Sequence, residues 1–113
     1  MNIQIFGKKK CHDTQKAIRY FKERRIKVQY IDFLKMGMSD GEYASVKRAV
    51  GGVQALVDTA CPKYKEELAY LTMDDEELED RLFDDLALFR TPIVRNGRQA
   101  TVGYCPDIWK TWE

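Results

Sequence analysis

The sequence predicts an α/β domain built on a central mixed sheet, and three observations carry that expectation. Residues 2–32 read as strand, helix and strand, a βαβ unit whose two strands should run parallel. Residues 39–89 carry helical signals only. After Pro92, two short apolar runs flank Asn96-Gly97 and lead into a final helical segment, which reads as a hairpin followed by a helix.

Each element has its own local reason. Asn2–Gly7 contains Ile3, Ile5 and Phe6 and suits a buried parallel strand. From Asp13 to Arg25, Ala17, Ile18, Tyr20 and Phe21 recur at helical spacing while Lys16, Arg19, Lys22 and Glu23 point outward. Val28–Asp32 is the second strand. Ser39-Asp40-Gly41-Glu42 fits a capping box, opening a helix through Tyr43 and Val46 that stops at Gly51-Gly52. A short segment, Val53–Val57, precedes a break at Cys61-Pro62. Lys63–Tyr70 is expected to be helical, and Thr72 to cap a further helix striped by Leu78, Leu82, Leu86 and Phe89. The acidic run Asp74–Asp80 falls in the first turns of that helix, where the dipole favours it, and otherwise forms a solvated face. Pro92–Arg95 and Gln99–Val102 form the hairpin, with Asn-Gly expected in a type I′ turn. Pro106 begins the last helix, and Tyr104, Trp109 and Trp112 are expected to pack the core and that helix. The order is β-α-β, helical insert, β-β-α: a thioredoxin-like fold in one domain over residues 1–113, with the insertion at about 39–89.

Composition narrows the function classes. The 113 residues are 44% hydrophobic and 33% charged, which suits a globular chain able to bury an ordinary core. A net charge of +1 offers no bulk attraction to nucleic acid or an anionic membrane, so neither partner is expected. No apolar run is long enough to span a bilayer, and Met1 leads straight into a strand rather than a secretory leader. Three irregularly spaced cysteines make no disulfide framework, which points to a reducing cytoplasm. One histidine and no Cys-x-x-Cys pair leave no plausible zinc site, and no glycine-rich phosphate motif implies a bound nucleotide.

Cys11 stands out. It follows Gly7 and Lys8-Lys9-Lys10 at a strand-to-helix turn, where the helix dipole and free N–H groups favour thiolate over thiol. Thr14, one turn later, can hydrogen-bond that thiolate or simply cap the helix. Lys10 is the lysine best placed to steer an anionic thiol toward the sulfur, and His12 can act as proton donor to a leaving thiolate. Cys61 and Cys105 are the candidate resolving thiols. Arg90 can contact an anionic substrate or pair with the acidic helix before it. The basic Lys22–Arg25 cluster is read as surface.

Several pieces together resemble the arsenate-reductase-like (ArsC/Spx) family of small thioredoxin-fold proteins. They are Ile5-Phe6 followed by Cys11, Lys16-Ala17, Val53-Gln54-Ala55-Leu56, Arg90-Thr91-Pro92-Ile93-Val94 and Val102-Gly103-Tyr104. The resemblance runs nearly end to end. It implies that Cys11 is the reactive sulfur and that Pro92 is a cis-proline lying against it, with Thr91 and Arg90 beside the substrate.

The departures from the family pattern shape the functional expectation. Arsenate reductases of the family surround the oxyanion with three arginines. Here the insert position is Asp58, the position directly before Pro92 is Thr91 with Arg90 one residue earlier, and the late position falls near Tyr104 and Cys105. Gln15 stands where a further arginine follows the cysteine. These changes count against arsenate itself. Cys11-His12-Asp13-Thr14 also lacks the Cys-x-x-Cys switch of the Spx branch, leaving a monothiol Cys-x-x-Thr site. The resemblance therefore implies a thiol-dependent oxidoreductase with no bound cofactor, in which Cys11 forms a mixed disulfide. Glutathione, another low-molecular-weight thiol or a glutaredoxin-type reductant would serve as co-substrate. The alternative is an Spx-like regulatory protein that binds RNA polymerase.

Overall fold

A computed structural model of the chain describes residues 1–112. Strand β1 (Ile3–Gly7) lies inside a four-stranded sheet beside β2 (Val28–Asp32) on one side and β3 (Ile93–Asn96) on the other, with β4 (Gln99–Val102) beyond β3. β1 runs parallel to β2 and antiparallel to β3, and β3 and β4 pair antiparallel. The sheet is mixed, as expected. β1 itself is buried but has only one parallel neighbour, because the C-terminal hairpin returns along its other edge.

The side-chain period of two along each strand sends alternate residues into two cores. Ile3, Ile5 and Val94 face helix α1 (His12–Glu23) and the short α6 (Pro106–Trp109), meeting Ala17, Tyr20, Phe21, Trp109 and Trp112. Buried Trp109 donates its indole N–H to the Thr101 hydroxyl at 2.8 Å, so its polar edge is satisfied within the core. Phe6 and Ile93 face the opposite way, into the insert. That side contains α2 (Phe33–Met36), α3 (Asp40–Val50), a 3₁₀ turn at Val53–Leu56, α4 (Pro62–Glu67), α5 (Asp75–Asp84) and a second 3₁₀ turn at Leu86–Leu88. Phe33, Val46, Leu56, Leu78, Leu82 and Phe89 fill it.

The capping box is present in both directions. Glu42 N–H donates to the Ser39 hydroxyl at 3.1 Å and Ser39 N–H to the Glu42 carboxylate at 2.9 Å. Elsewhere the boundaries differ from the sequence reading for identifiable reasons. α1 ends two residues early, since Arg25 adopts φ +58 and Ile26 N–H reaches back to the Phe21 carbonyl at 2.9 Å. This is a Schellman-type stop without its usual glycine, which leaves no signal in the sequence. α5 is capped by Asp74, whose carboxylate accepts from Glu77 N–H at 2.8 Å, and not by Thr72. Leu86 and Phe89 fall outside α5 because Asp85 leaves helical geometry and caps the following 3₁₀ turn through Ala87 N–H.

The hairpin forms, but its turn is not type I′. Asn96 pairs with Gln99 as the last strand residue, so Gly97 and Arg98 are the central residues. Only Gly97 has positive φ, at +62, which is the type II′ pattern with glycine first. Tyr104 packs on the last helix, meeting Trp109 edge-on at 5.6 Å, but stays 41% exposed rather than entering the core. Among the described residues no helix is long and apolar enough to cross a membrane.

Candidate active site

β1 ends at Gly7, and its C-terminal edge leads through Lys8–Lys10 into the N-cap of α1, which is Cys11. The loop is short because Cys11 N–H already bonds the Lys8 carbonyl at 3.0 Å. The sulfur makes no cap bond to its own helix. It donates instead to the Thr91 carbonyl at 3.5 Å. The Thr91–Pro92 bond is cis, so the peptide expected beside Cys11 stands next to Sγ. Thr91 is buried, held where the insert returns to the sheet.

Partial burial raises the Cys11 thiol, but its hydrogen-bonding surroundings outweigh that cost. The side chains of Thr14 and Thr91, together with the N–H groups of Thr14 and Asp13, hold the pKa below the ordinary cysteine value. Thr14 is fully buried in the first turn of α1, and its hydroxyl accepts from Lys8 N–H at 3.4 Å. Gly7 makes this fit possible: a side chain there would collide with the Thr14 methyl. The glycine, the threonine and the cysteine are therefore one packed unit.

This arrangement gives a test of pH dependence. Thr14→Val keeps the shape but removes the hydroxyl that favours the thiolate, so the Cys11 pKa should rise. The midpoint of iodoacetamide labelling then moves to higher pH and labelling at neutral pH slows several-fold, whereas Thr14→Ser retains the wild-type profile. An unchanged profile in Thr14→Val removes the threonine from the site.

Cys11 opens into a cleft of about 1110 Å³. Lys8, Lys9, Lys10, His12, Arg90, Thr91 and Cys61 all share its wall, so most of the residues singled out from the sequence are brought together. Lys10 and His12 are exposed at the rim. Arg90 is exposed too, and its guanidinium lies against Gly103. Asp58 lines the same wall. Pro92 is buried behind Thr91.

Lys8 has a role the sequence reading did not give it. Its ammonium donates to the carbonyls of Ala87 at 3.0 Å and Phe89 at 2.8 Å, tying the sulfur-bearing loop to the end of the insert. Burial lowers its pKa, opposed by attraction to Asp58, Cys11, Cys61 and Asp85. Asp32, Leu34 and Lys35 also line the cleft and were not anticipated. The general rule that ligands sit beyond the C-terminal ends of parallel strands could have found Asp32, which ends β2 beside Gly7.

The two other cysteines separate. Cys61 is half-buried in the cleft, where its sulfur accepts from Tyr64 N–H at 3.4 Å. Cys105 caps α6 outside the lining of the cleft, donates to the Val102 carbonyl at 3.3 Å and has its pKa raised by burial. The fold thus assembles Cys11 with Cys61 and leaves Cys105 against the α1–α6 core.

Known structures share this architecture along the whole chain. An ArsC family related protein from Bacteroides fragilis superposes with a TM-score of 0.85 at 23% identity, covering 100% of both chains. An arsenate reductase from Vibrio cholerae gives 0.82 at 23% identity over 96% of this chain and 94% of its own. A Staphylococcus aureus protein solved by NMR gives 0.80 at 24% identity over 97% and 98%. These likenesses carry the thioredoxin-like fold expected from the order of elements. No curated protein matches the chain significantly by sequence. The profile of the ArsC family matches residues 6–112, nearly the full sequence, and the chain belongs to the ArsC family.

Proposed function

We propose that this protein is a thiol-dependent oxidoreductase whose reactive group is Cys11. The observation that carries this reading is the sulfur's setting: half-buried at the head of α1, held against the Thr91 carbonyl, with its pKa lowered by Thr14, Thr91 and the first N–H groups of the helix. Thiol exchange needs such a thiolate and an accessible path to it. The cleft supplies the path.

The Cys11 thiolate attacks one sulfur of a glutathionylated substrate. A Cys11–S–S–glutathione bond forms, the substrate S–S bond breaks, and the displaced thiolate takes a proton from solvent or from His12 at the rim. A second thiol then attacks the mixed disulfide and regenerates reduced Cys11, with glutathione or a glutaredoxin-type protein as final reductant. Lys9, Lys10 and Arg90 draw the anionic glutathionyl group in, while Thr91 shapes the wall against which it lies and Pro92 backs it from behind. Arsenate does not suit this cleft, because Asp58 opposes an oxyanion and Arg90 is the single arginine on the lining. The family membership of the chain agrees with thiol chemistry in general terms.

The test is turnover of a glutathione mixed disulfide in the presence of glutathione, following glutathione disulfide as it forms. Saturable turnover that disappears after Cys11 is alkylated supports the proposal. If the wild-type chain gives no turnover and instead retains RNA polymerase from a lysate, the Spx-like regulatory reading replaces it.

A further inference from the structure

The family motif leaves this chain without a second cysteine near Cys11 in sequence, since Thr14 occupies that place. Another cysteine, Cys61, lines the cleft that Cys11 opens into. The strand-like segment 56–58 lies antiparallel to 88–90: Arg90 N–H donates to the Leu56 carbonyl at 2.8 Å, Val57 bridges Phe89, and Asp58 N–H donates to the Leu88 carbonyl at 2.8 Å. Cys11 Sγ bonds the carbonyl of Thr91 at one end of this ladder. Beyond the other strand the chain turns back at once, with Cys61 N–H on the Asp58 carbonyl at 3.3 Å and Ala60 N–H on the Asp58 carboxylate at 3.1 Å. That turn delivers Cys61 to the wall of the cleft that Cys11 opens into.

Lys8 lines the same wall. Its ammonium is anchored on the Phe89 carbonyl of the ladder and on the Ala87 carbonyl just before it, and both sulfurs attract it. The segment that carries Cys61 is the more exposed side of the pair. α4 buries none of its six residues, and the Cys61 sulfur is held by a single long bond from Tyr64 N–H. The Cys11 side is rigid by contrast, with Thr14 and Ala17 fully buried in α1.

We propose that Cys61 is the resolving thiol of this protein, closing a Cys11–Cys61 disulfide across the cleft that takes the place of the missing Cys-x-x-Cys pair. The proposal rests on Cys11 being the reactive sulfur. The Cys61 thiolate attacks Cys11 Sγ of the mixed disulfide; the Cys11–Cys61 bond forms, the Cys11–glutathione bond breaks, and glutathione leaves as a thiolate that takes up the proton Cys61 gave up. The oxidising equivalent stays on the protein until an external dithiol or a pair of glutathione molecules reduces the new disulfide.

Intact-mass analysis of the full chain during treatment with glutathione disulfide tests this, with non-reducing peptide mapping to place the bonds. In the wild type the expected product is a species two hydrogens lighter than the reduced chain, its map linking the Cys11 and Cys61 peptides. Cys61→Ser, which keeps a side chain able to cap α4, should halt at the glutathione adduct on Cys11. The lifetime of that adduct should exceed the wild-type one by about tenfold or more, since an intramolecular thiol acts at an effective concentration in the millimolar range or above. Cys105→Ser should behave like wild type. Adducts of equal lifetime in wild type and Cys61→Ser would overturn the role of Cys61 while leaving Cys11 as the reactive sulfur. A cross-link that maps to Cys105 would overturn it as well. Neither adduct nor disulfide in any variant would remove the reactive-cysteine reading and this one with it.

Discussion

Cys11→Ser is expected to abolish thiol exchange completely while leaving the fold at least as stable as before. The two effects have separate causes. A serine hydroxyl is not ionised near neutral pH and cannot form a disulfide, so neither the mixed disulfide nor its resolution survives. The same position is the N-cap of α1, where the cysteine makes no side-chain bond to the helix. Serine is among the preferred N-cap residues, and its hydroxyl can accept one of the free N–H groups of the first turn, which is worth about 0.5–1 kcal/mol. Turnover of a glutathione mixed disulfide checks the first effect and urea denaturation the second. Residual turnover in Cys11→Ser would assign the chemistry to another cysteine. A large loss of stability would show that Cys11 is structural.

Phe89→Ala should produce the largest effect on stability, a loss of about 3–5 kcal/mol. Phe89 is fully buried in the insert-side core. It meets Phe33 edge-on at 4.8 Å and Phe83 at 5.4 Å, so it joins the short helix after β2 to the end of α5. Truncation leaves a cavity between elements fixed from different directions, which cannot collapse to fill it. A total stability of about 5–15 kcal/mol makes that loss a large fraction of the whole. The site should suffer too. The Phe89 carbonyl accepts from the Lys8 ammonium, and the residue pairs with Val57 in the ladder that leads to Thr91. The midpoint of urea unfolding reads the loss, and a change smaller than about 1 kcal/mol would mean that the insert is not held on the sheet through this residue.

Lys8 shows how the two levels of information divide. As one of three consecutive lysines it reads as ordinary solvation or as general steering, with Lys10 nearest the sulfur in sequence. In the structure Lys10 is exposed, whereas Lys8 is drawn across the ladder onto carbonyls 79 and 81 residues away. Thr14 and Pro92 behave differently, since their positions relative to Cys11 were legible from local spacing and from the family motif. The type of turn at Gly97 and the helix stop at Arg25 depended on backbone angles that their residues permit but do not announce.

The order of elements, the capping box at Ser39, the hairpin at Asn96-Gly97 and the place of Cys11 at the head of α1 are all readable from the chain alone. Each of these rests on interactions within a few residues: hydrophobic period, cap chemistry, and the backbone freedom of glycine. That Lys8 clamps the insert, that Cys61 shares the cleft with Cys11 while Cys105 does not, and that Asp32, Leu34 and Lys35 complete its wall emerge only in the folded chain. Those outcomes depend on how the insert folds back over the C-terminal edge of the sheet. That placement is fixed by the packing of Phe33, Phe89 and their neighbours over long separations, which no local pattern in the chain encodes.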